Sequence, residues 1–251
     1  MTGAKFQRAS GTTPEGTANE QAASQWVRGM FGRIAPRYDL LNHLLSFNLD
    51  KRWRARTVAR VSEILDRPDA QVLDLCCGTG DVALALESRA GRSLLASDFC
   101  HPMLVEARRK IGGQGFRTPV FEADALSLPL AEASLDLITV AFGFRNLANY
   151  QTGLEEMLRV LKPGGVAAIL EFSQPPNAAF RALYGFFSTH VLPRVGGIVS
   201  GSPEAYSYLP ESIRKFPGAE QLVQEMRRAG FSRVEFERMT GGAVALHLGY
   251  K

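Results

Sequence analysis

Short apolar runs alternate along the chain with longer segments in which apolar residues recur at helical spacing. The runs predict strands at residues 71–77, 93–97, 119–123, 135–142 and 166–172. Helical spacing predicts helices from the glycine-rich segment through about Arg89, from Pro102 to about Ile111, and over 150–161. Strands that alternate with helices predict a doubly wound, mostly parallel α/β sheet, in which ligands bind beyond the carboxyl ends of the strands.

Two later segments depart from this alternation. Residues 173–216 follow the last parallel strand, at the place where a helical cap would cover a ligand site. Core packing is the other explanation for the aromatic and apolar residues that recur there at helical spacing, namely Phe180, Tyr184, Phe187 and Val191. Residues 234–250 predict two strands around Gly241-Gly242, a closing antiparallel hairpin that completes a seven-stranded sheet.

The composition fits one α/β domain at 25–251, with cap segments at about 25–60 and 173–216. The chain has 251 residues and is 45% hydrophobic, which is enough for a full core. No apolar run approaches the ~20 residues that a membrane span needs. Residues 1–24 are rich in Gly, Thr, Ala and Gln and lack the apolar segment of a signal peptide. We therefore expect a disordered tail on a cytoplasmic protein.

Charge adds one local feature. The net charge is +4, and five basic residues fall within Lys51 to Arg60, around Trp53. A solvated helix face explains them, and so does a patch that rests on an anionic membrane surface or on RNA. Charge alone does not choose between these interpretations.

The glycine-rich segment after the first strand carries the first chemical signal. Residues 78–83 match the dinucleotide fingerprint G-x-G-x-x-A, and Asp98 ends the next strand, where it is placed to bind a ribose hydroxyl. A nicotinamide enzyme is one candidate. However, Asp74 and Asp81 flank the glycines, and there is no Lys or Arg over 71–88. A pyrophosphate would face two carboxylates, whereas S-adenosylmethionine, with its ammonium and sulfonium, would be attracted by them.

A further carboxylate extends this pattern. Asp124 follows the third strand, where it is placed to accept from an adenine amino group while the Ala125 N–H donates to a ring nitrogen. Each aspartate alone is explained equally well as a helix cap or loop residue. Carboxylates at successive strand ends around one glycine loop favour a shared ligand, S-adenosylmethionine.

Several motifs together resemble a known family. The chain resembles the UbiE/MenG demethylmenaquinone and ubiquinone-precursor C-methyltransferases from about Met30 to the C-terminus, through "FGRIAPRYDLLNHLLSFNLDKRWR", "VLDLCCGTGD", "FGFRN", "LKPGG", "LEFSQP", "YSYLPESIRKFP" and "GGAVALHLGYK". The resemblance implies the class I S-adenosylmethionine-dependent methyltransferase fold. The residues predicted to bind the cofactor are Asp74, Gly78, Thr79, Gly80, Asp98, Asp124, Ala125 and Ala141. The family often has Ser where this chain has Ala141, so only the Ala141 backbone remains for a contact there.

The resemblance also implies a substrate. It predicts C-methylation of a polyprenyl quinol, first demethylmenaquinol to menaquinol, with a ubiquinone precursor as the alternative. A nucleic-acid methyltransferase is the rival, but it needs an Asn-Pro-Pro-aromatic run after the fourth strand or a nucleophilic cysteine after a proline. The chain has neither, since Cys76, Cys77 and Cys100 lie elsewhere and fit buried small apolar positions. A noncatalytic binding module leaves "GFRN" and the cap unexplained. We predict no nucleic-acid partner and, without ligand spacing, no metal.

The end of the fourth strand carries the predicted catalytic residues. Gly143 is expected to let the backbone pass close to the ligands, while Arg145 and Asn146 turn toward the ring. We expect Arg145 to stabilise an incipient phenolate, directly or through a water, and Asn146 to hold the other polar group of the ring or that water. A solvated arginine on a loop is the alternative. Peripheral contact with the inner face of the membrane is expected, and a homo-oligomer is left open.

Overall fold

The computed structural model describes residues 11–187, 189 and 203–251. Its strands are β1 (Val72–Leu75), β2 (Leu95–Asp98), β3 (Val120–Glu122), β4 (Leu135–Ala141), β5 (Leu161–Phe172), β6 (Arg233–Met239) and β7 (Val244–Tyr250). They form one sheet in the order β3-β2-β1-β4-β5-β7-β6. Strands β1 to β5 are parallel, and β7 pairs antiparallel with both β5 and β6. The predicted parallel sheet with an antiparallel closing hairpin is confirmed.

Helices cover both faces of the sheet. They are α1 (Glu20–Ile34), α2 (Tyr38–Leu45), α3 (Leu49–Arg60), α4 (Ser62–Leu65), α5 (Asp81–Ala90), α6 (His101–Gly113), α7 (Tyr150–Val160), α8 (Ala178–Phe186), α9 (Pro203–Lys215) and α10 (Ala219–Ala229). One core joins the sheet to α7 and α10, and a second joins it to α3, α4 and α5. Leu137 and Ile138 of β4 belong to opposite cores because side chains alternate along a strand.

The ladder between β4 and β5 is irregular at residues 162–165. Leu161 pairs with Leu135, but the next pair is Val166 with Leu137, so residues 162–165 loop out of the ladder. Gly164 lies at φ +78°, where a side chain would be strained. The sequence predicted a strand from residue 166 after a turn, and the structure places this turn within β5.

Of the predicted disordered tail, residues 1–10 lie outside the described residues, and residues 11–24 form ordered structure that differs from the prediction. Thr12 is buried, and its N–H donates to the Leu147 carbonyl at 2.8 Å. Helix α1 begins at Glu20, and the side chain of Asn19 caps it by accepting from the Ala22 N–H at 2.8 Å. Hydrogen bonds order residues that bury little apolar surface, and composition does not reveal such bonds. The Asn19 cap was the available signal.

Of the predicted cap at 173–216, the structure describes α8 and α9. Val191, which belongs to the predicted apolar stripe, lies outside the described residues. Helix α1 packs against α6 and α9, through a cluster that includes Met30 and Tyr208. Among the described helices, none combines the length and the apolar character that crossing a bilayer requires.

Candidate active site

A pocket opens at the carboxyl ends of the central strands, beside the glycine loop between β1 and α5. The predicted cofactor residues that line it are Gly78, Thr79, Asp98, Asp124, Ala125 and Ala141. The loop turns sharply because Cys76, Gly78 and Gly80 all adopt positive φ, at +55°, +55° and +87°. The structure brings these residues together at one edge of the sheet, and that they bind a cofactor stays a prediction.

Asp98 sits in this pocket with both carboxylate oxygens engaged by the backbone. Its Oδ2 accepts from the Gly78 N–H and its Oδ1 from the Cys100 N–H, each at 2.9 Å. Burial raises the pKa of Asp98 to about 6, and the backbone donors only partly offset that effect. Each oxygen keeps a further lone pair, so Asp98 can also accept from the hydroxyls of a ribose.

Asp124 and Ala125 follow β3 on another wall of the pocket. The Asp124 Oδ1 accepts from the Leu126 N–H at 2.9 Å, which closes an Asx turn. Its Oδ2 has no hydrogen bond to a described residue. The aspartate is exposed, whereas Ala125 is buried. An acceptor beside a buried backbone fits the edge of an adenine.

Two predicted cofactor residues do not line the pocket. Asp74 is 1% exposed and lies behind the loop, where it accepts from the Thr139 hydroxyl at 2.8 Å. Burial raises its pKa to about 7. A Cβ on Gly80 would lie 3.3 Å from Ile111 and 3.4 Å from Ala107, so Gly80 allows α5 to pack closely on α6. Asp74 is thus tied to β4, and Gly80 is packed against α6.

The surroundings of Asp81 change the charge argument made from the sequence. Arg54 Nη1 lies 2.5 Å from Asp81 Oδ2, and Lys110 Nζ lies 2.6 Å from Oδ1. Burial alone would raise the pKa of Asp81, but these two cations outweigh burial and lower it. The cations come from α3 and α6, outside the stretch without Lys or Arg. The charge of Asp81 is thus neutralised within the chain. Asp81 therefore no longer counts as a free carboxylate that would repel a pyrophosphate.

Thr79 and Asp39 extend the same charged network. The Thr79 hydroxyl donates to Asp39 Oδ1 at 2.5 Å, and Lys110 pairs with Asp39. Arg54 also contacts Asp50 Oδ2, at 2.9 Å. The network therefore links α6 to α3 beside this pocket.

A second, larger cavity of about 530 Å³ adjoins the pocket. Most of its wall is apolar or aromatic, from Met30, Phe31, Ile34, Phe47, Leu49, Trp53, Phe142, Phe172, Phe180, Leu183, Tyr184, Phe187, Tyr208 and Leu209. Phe31, Tyr38, Arg54 and Phe142 line both chambers. We call the first chamber the cofactor-side pocket and the second the apolar cavity.

Arg145 lines the apolar cavity and is 5% exposed, so it is not a solvated loop residue. Its Nη1 lies 3.0 Å from Glu171 Oε1 and donates to the Phe142 carbonyl at 2.6 Å. The guanidinium carbon lies 5.2 Å from the centroid of the Phe172 ring. Burial alone would lower the pKa of Arg145, but Glu171 outweighs it and raises the pKa. Within the described part of the chain, Nη2 has no hydrogen-bond partner.

Glu171 is the residue that sequence reasoning missed. It is 1% exposed, and its carboxylate accepts from the Arg145 N–H at 3.1 Å and from the Phe172 N–H at 2.8 Å. A charged residue near the end of the apolar run "VAAILEF" was the available signal, because a buried carboxylate is rarely left unpaired.

Asn146, the neighbour of Arg145, faces the other chamber and lines the cofactor-side pocket. Its Oδ1 accepts from the Tyr208 hydroxyl at 2.9 Å. The Tyr208 oxygen lies 2.7 Å from Thr12 Oγ1, so the Thr12 hydroxyl donates to it. The N-terminal segment and α9 thereby hold the Asn146 amide, which sequence reasoning did not foresee.

Gly143 lines the cofactor-side pocket, but the nearest atom that would clash with a Cβ belongs to the protein. That Cβ would lie 2.4 Å from the Cβ of Cys76, at the end of β1. Packing where the ends of β1 and β4 converge is therefore one reason for glycine at this position, and close approach of ligands to Gly143 stays a prediction.

One cluster has the residue types of a metal site. His43, Asp50 and Asp81 bring potential ligand atoms within 4.8 Å of one another. Arg54 bridges both carboxylates, and His43 Nδ1 lies 2.8 Å from Asp50 Oδ2. Both carboxylates are therefore already engaged by a guanidinium. The absence of a metal stays a prediction.

The basic segment 51–60 is largely paired within the chain. Arg56 Nη2 lies 2.9 Å from Glu237, and Arg60 contacts Glu235 at 2.9 Å and Glu237 at 3.1 Å. With Arg54 also paired, Lys51 and Arg52 are the two that have no ion pair to a described residue, and both are exposed. The segment presents less free charge than its sequence indicates.

Comparisons with known proteins agree with this geometry. The profile of the ubiE/COQ5 methyltransferase family matches residues 18–251. The chain is 49% identical to the demethylmenaquinone methyltransferase of Thermus thermophilus over 88% of this chain and 99% of that protein. It is 43% identical to the ubiquinone/menaquinone biosynthesis C-methyltransferase UbiE of Syntrophotalea carbinolica, over 90% and 94%. A SAM dependent methyltransferase from Aquifex aeolicus shares the fold, with a TM-score of 0.56 and 21% identity over 77% of this chain and 88% of that one. The chain belongs to the ubiE/COQ5 methyltransferase family.

Proposed function

We propose that this protein transfers a methyl group from S-adenosylmethionine to a ring carbon of a polyprenyl quinol. Demethylmenaquinol is the preferred substrate in this proposal, as the name of the Thermus relative suggests, and a ubiquinone precursor is the alternative. The observation that carries the proposal is the position of Arg145, a buried cation in the wall of an apolar cavity that adjoins the cofactor-side pocket.

The cofactor-side pocket fits S-adenosylmethionine. In the proposal, Asp98 accepts from the ribose diol, Asp124 accepts from the adenine amino group, and the Ala125 N–H faces the ring. The methionine end carries an ammonium and a carboxylate, so paired Asp81 and Arg54 at the pocket wall match it better than free carboxylates would. Bound S-adenosylmethionine supplies an electrophilic methyl group on a sulfonium.

The apolar cavity suits an aromatic ring with an isoprenoid tail, since its walls are aromatic and its polar groups are few. A quinol ring carbon becomes nucleophilic as the neighbouring hydroxyl approaches phenolate. That carbon forms the bond to the methyl group while the methyl–sulfur bond breaks and its electron pair stays on sulfur. The ring then loses the proton from the methylated carbon, so each turnover releases one proton.

Arg145 supports this step as a hydrogen-bond donor and not as a base. A guanidinium stays protonated at ordinary pH, and Glu171 stabilises that form further. Its Nη2 is available for a phenolate oxygen, while Nη1 is held by Glu171 and the Phe142 carbonyl. A donor fixed before the reaction stabilises developing charge without reorganisation. Asn146, on the cofactor side, holds the other polar group of the ring or a water.

The remaining partners are part of the same proposal. We expect contact with the inner face of the membrane from the cytoplasm, no nucleic-acid substrate and no metal; a homo-oligomer is left open.

The test is a direct assay. Purified protein receives labelled S-adenosylmethionine with short-tailed demethylmenaquinol or with the methoxy-benzoquinol analogue, and products are identified by mass spectrometry. We expect one methyl group on a ring carbon, with demethylmenaquinol turned over faster. RNA and DNA serve as matched alternative acceptors. Methyl transfer to a nucleic acid, or to neither quinol, would contradict the proposal.

A further inference from the structure

Helix α8 is apolar and yet exposed. Its sequence AAFRALYGF contains a single charged residue, Arg181, and none of its residues is buried. Leu183 is 65% exposed and Phe186, three residues later, is 60% exposed. Residues three apart share a helix face, so these two side chains form one apolar surface. Water is a poor environment for such a helix, and its apolar face calls for a covering surface.

The turn between α2 and α3 presents a similar side chain. Phe47 is 73% exposed, and its ring lies 6.0 Å from that of Phe187, which follows α8. Phe47, Leu183 and Phe187 all line the apolar cavity. Exposed apolar groups therefore continue the cavity wall out to solvent. We call Phe47, Leu183 and Phe186 the apolar rim.

Free positive charge lies next to this rim. Helix α3 begins two residues after Phe47, and its first turn carries Lys51 and Arg52, both exposed. Neither forms an ion pair with a described residue, unlike Arg56 and Arg60 farther along the helix. Exposed aromatic and aliphatic side chains beside unpaired cations are the composition of surfaces that bind the interface of an anionic bilayer.

We propose that the apolar rim inserts into the interfacial zone of a bilayer containing anionic lipid, with Lys51 and Arg52 on the headgroups. The apolar cavity then opens toward the hydrocarbon, so a polyprenyl chain passes between cavity and lipid without crossing water. The surface that contacts lipid consists of the apolar rim with Lys51 and Arg52. The paired arginines of segment 51–60 do not contact the lipid directly. The benefit to turnover rests on the proposed function, whereas the lipid contact itself does not.

Vesicle sedimentation tests the contact. The purified full chain, without substrate, is mixed with vesicles of phosphatidylcholine containing phosphatidylglycerol, or of phosphatidylcholine alone. Each rim side chain should contribute roughly tenfold or more in partition, since full burial of a large apolar side chain is worth at least that much. We expect Phe47→Ser/Leu183→Ser to lose vesicle binding and Phe186→Ser to weaken it roughly tenfold. Replacing Lys51 and Arg52 by Gln should remove the preference for anionic vesicles and the salt sensitivity.

Val105→Ser is the matched control. Val105 is 49% exposed on α6, which contributes no residue to the apolar cavity, so this variant should bind as the wild type does. Equal binding by Phe47→Ser/Leu183→Ser and wild type, or equal loss in Val105→Ser, would overturn the proposal. A different outcome is that the wild type self-associates with rising protein concentration without binding vesicles. If Phe186→Ser abolished that self-association, the apolar rim would be assigned to a second copy of the chain, and the membrane proposal would be overturned.

An activity comparison separates this proposal from the proposed function. Phe186 does not line the apolar cavity, so Phe186→Ser should turn over a short-tailed quinol in solution as the wild type does. With a long-tailed quinol in vesicles, the variant should lose roughly tenfold in rate at low protein concentration. Vesicle binding without methyl transfer to any quinol would refute the function and leave the rim standing. If Phe186→Ser and the wild type methylated the vesicle-bound quinol at equal rates, the proposal for the apolar rim would be refuted and the proposed function would stand.

Discussion

Replacing Arg145 by Gln separates the structural from the catalytic role of the buried pair with Glu171. Both side chains are almost fully buried, at 6% and 1% exposure, and they meet at 3.0 Å. Removing one partner leaves an uncompensated buried charge, which typically costs about 3–5 kcal/mol. For a chain of this size, that corresponds to a fall in Tm of roughly 6–20 °C. We therefore expect Arg145→Gln to remain folded at room temperature but to unfold earlier in a thermal scan.

The double variant Arg145→Gln/Glu171→Gln distinguishes the two roles. It removes both charges and leaves two amides that can still hydrogen-bond, so most of the lost stability should return. Turnover should not return, because the donor to the phenolate is still changed. We expect both variants to lose ~10²–10³ in kcat, as happens when one oxyanion donor is removed. Thermal unfolding and single-turnover methyl transfer to a short-tailed quinol measure the two quantities.

Two controls make the result decisive. Arg109→Gln breaks an exposed pair with Glu106 on α6 and should cost less than about 1 kcal/mol with unchanged turnover. Arg145→Lys keeps the charge but loses the planar arrangement of donors. This variant should therefore retain a larger fraction of the wild-type stability than of the wild-type kcat. Recovery of turnover together with stability in the double variant would refute the reasoning, because Arg145 would then act only by holding the fold.

Further predictions concern the pocket walls. Asp98→Ala should lose roughly 1.5–3 kcal/mol of S-adenosylmethionine affinity, measured by calorimetric titration. The affinity of the wild type should weaken as pH falls below about 6, because Asp98 is then protonated. Unchanged affinity in Asp98→Ala would remove Asp98 from the site. The pKa of Asp74 is raised in the folded state to about 7, so stability is lost as pH rises from about 4 to about 7, by on the order of 4 kcal/mol. Asp74→Asn should flatten that slope in urea unfolding at several pH values, and an unchanged slope would contradict the assignment. Gly143→Ala should cost roughly 1–3 kcal/mol by chemical unfolding because its Cβ meets that of Cys76, and the same substitution should cost much less in a Cys76→Gly background. An equal cost in both backgrounds would point to a different clash.

The fold could be predicted because its signals are local. The central parallel strands are buried on both faces and appear in the sequence as short apolar runs, as in β4, where burial is nearly continuous. Helix α10 was not predicted, although Leu222, Val223 and Met226 are buried at helical spacing among charged residues. The pattern was present there, but the alternation of strands and helices had already ended at residue 172.

The candidate site was predictable only where its residues follow the strands closely. Asp98 ends β2 and Asp124 follows β3 by two residues, so the sheet itself brings them together. Arg54, Lys110 and Glu171 come from α3, α6 and β5, and their partners are distant in sequence. A count of charges along one stretch cannot include cations that the fold adds, and for that reason Asp81 was assigned the wrong surroundings.

The two catalytic candidates are neighbours in sequence, and the structure explains why they face different chambers. Phe142 adopts φ +59°, a conformation that is costly for an aromatic residue and persists only when its surroundings enforce it. Its ring packs 4.9 Å from Phe172 and 5.9 Å from Trp53, and its carbonyl accepts from Arg145 at 2.6 Å. The reversed backbone makes Phe142 a wall of both chambers, with Arg145 in the apolar cavity and Asn146 in the cofactor-side pocket. In the proposed reaction, methyl donor and ring meet where both chambers open, and Phe142 at the end of β4 lines that junction together with Phe31, Tyr38 and Arg54.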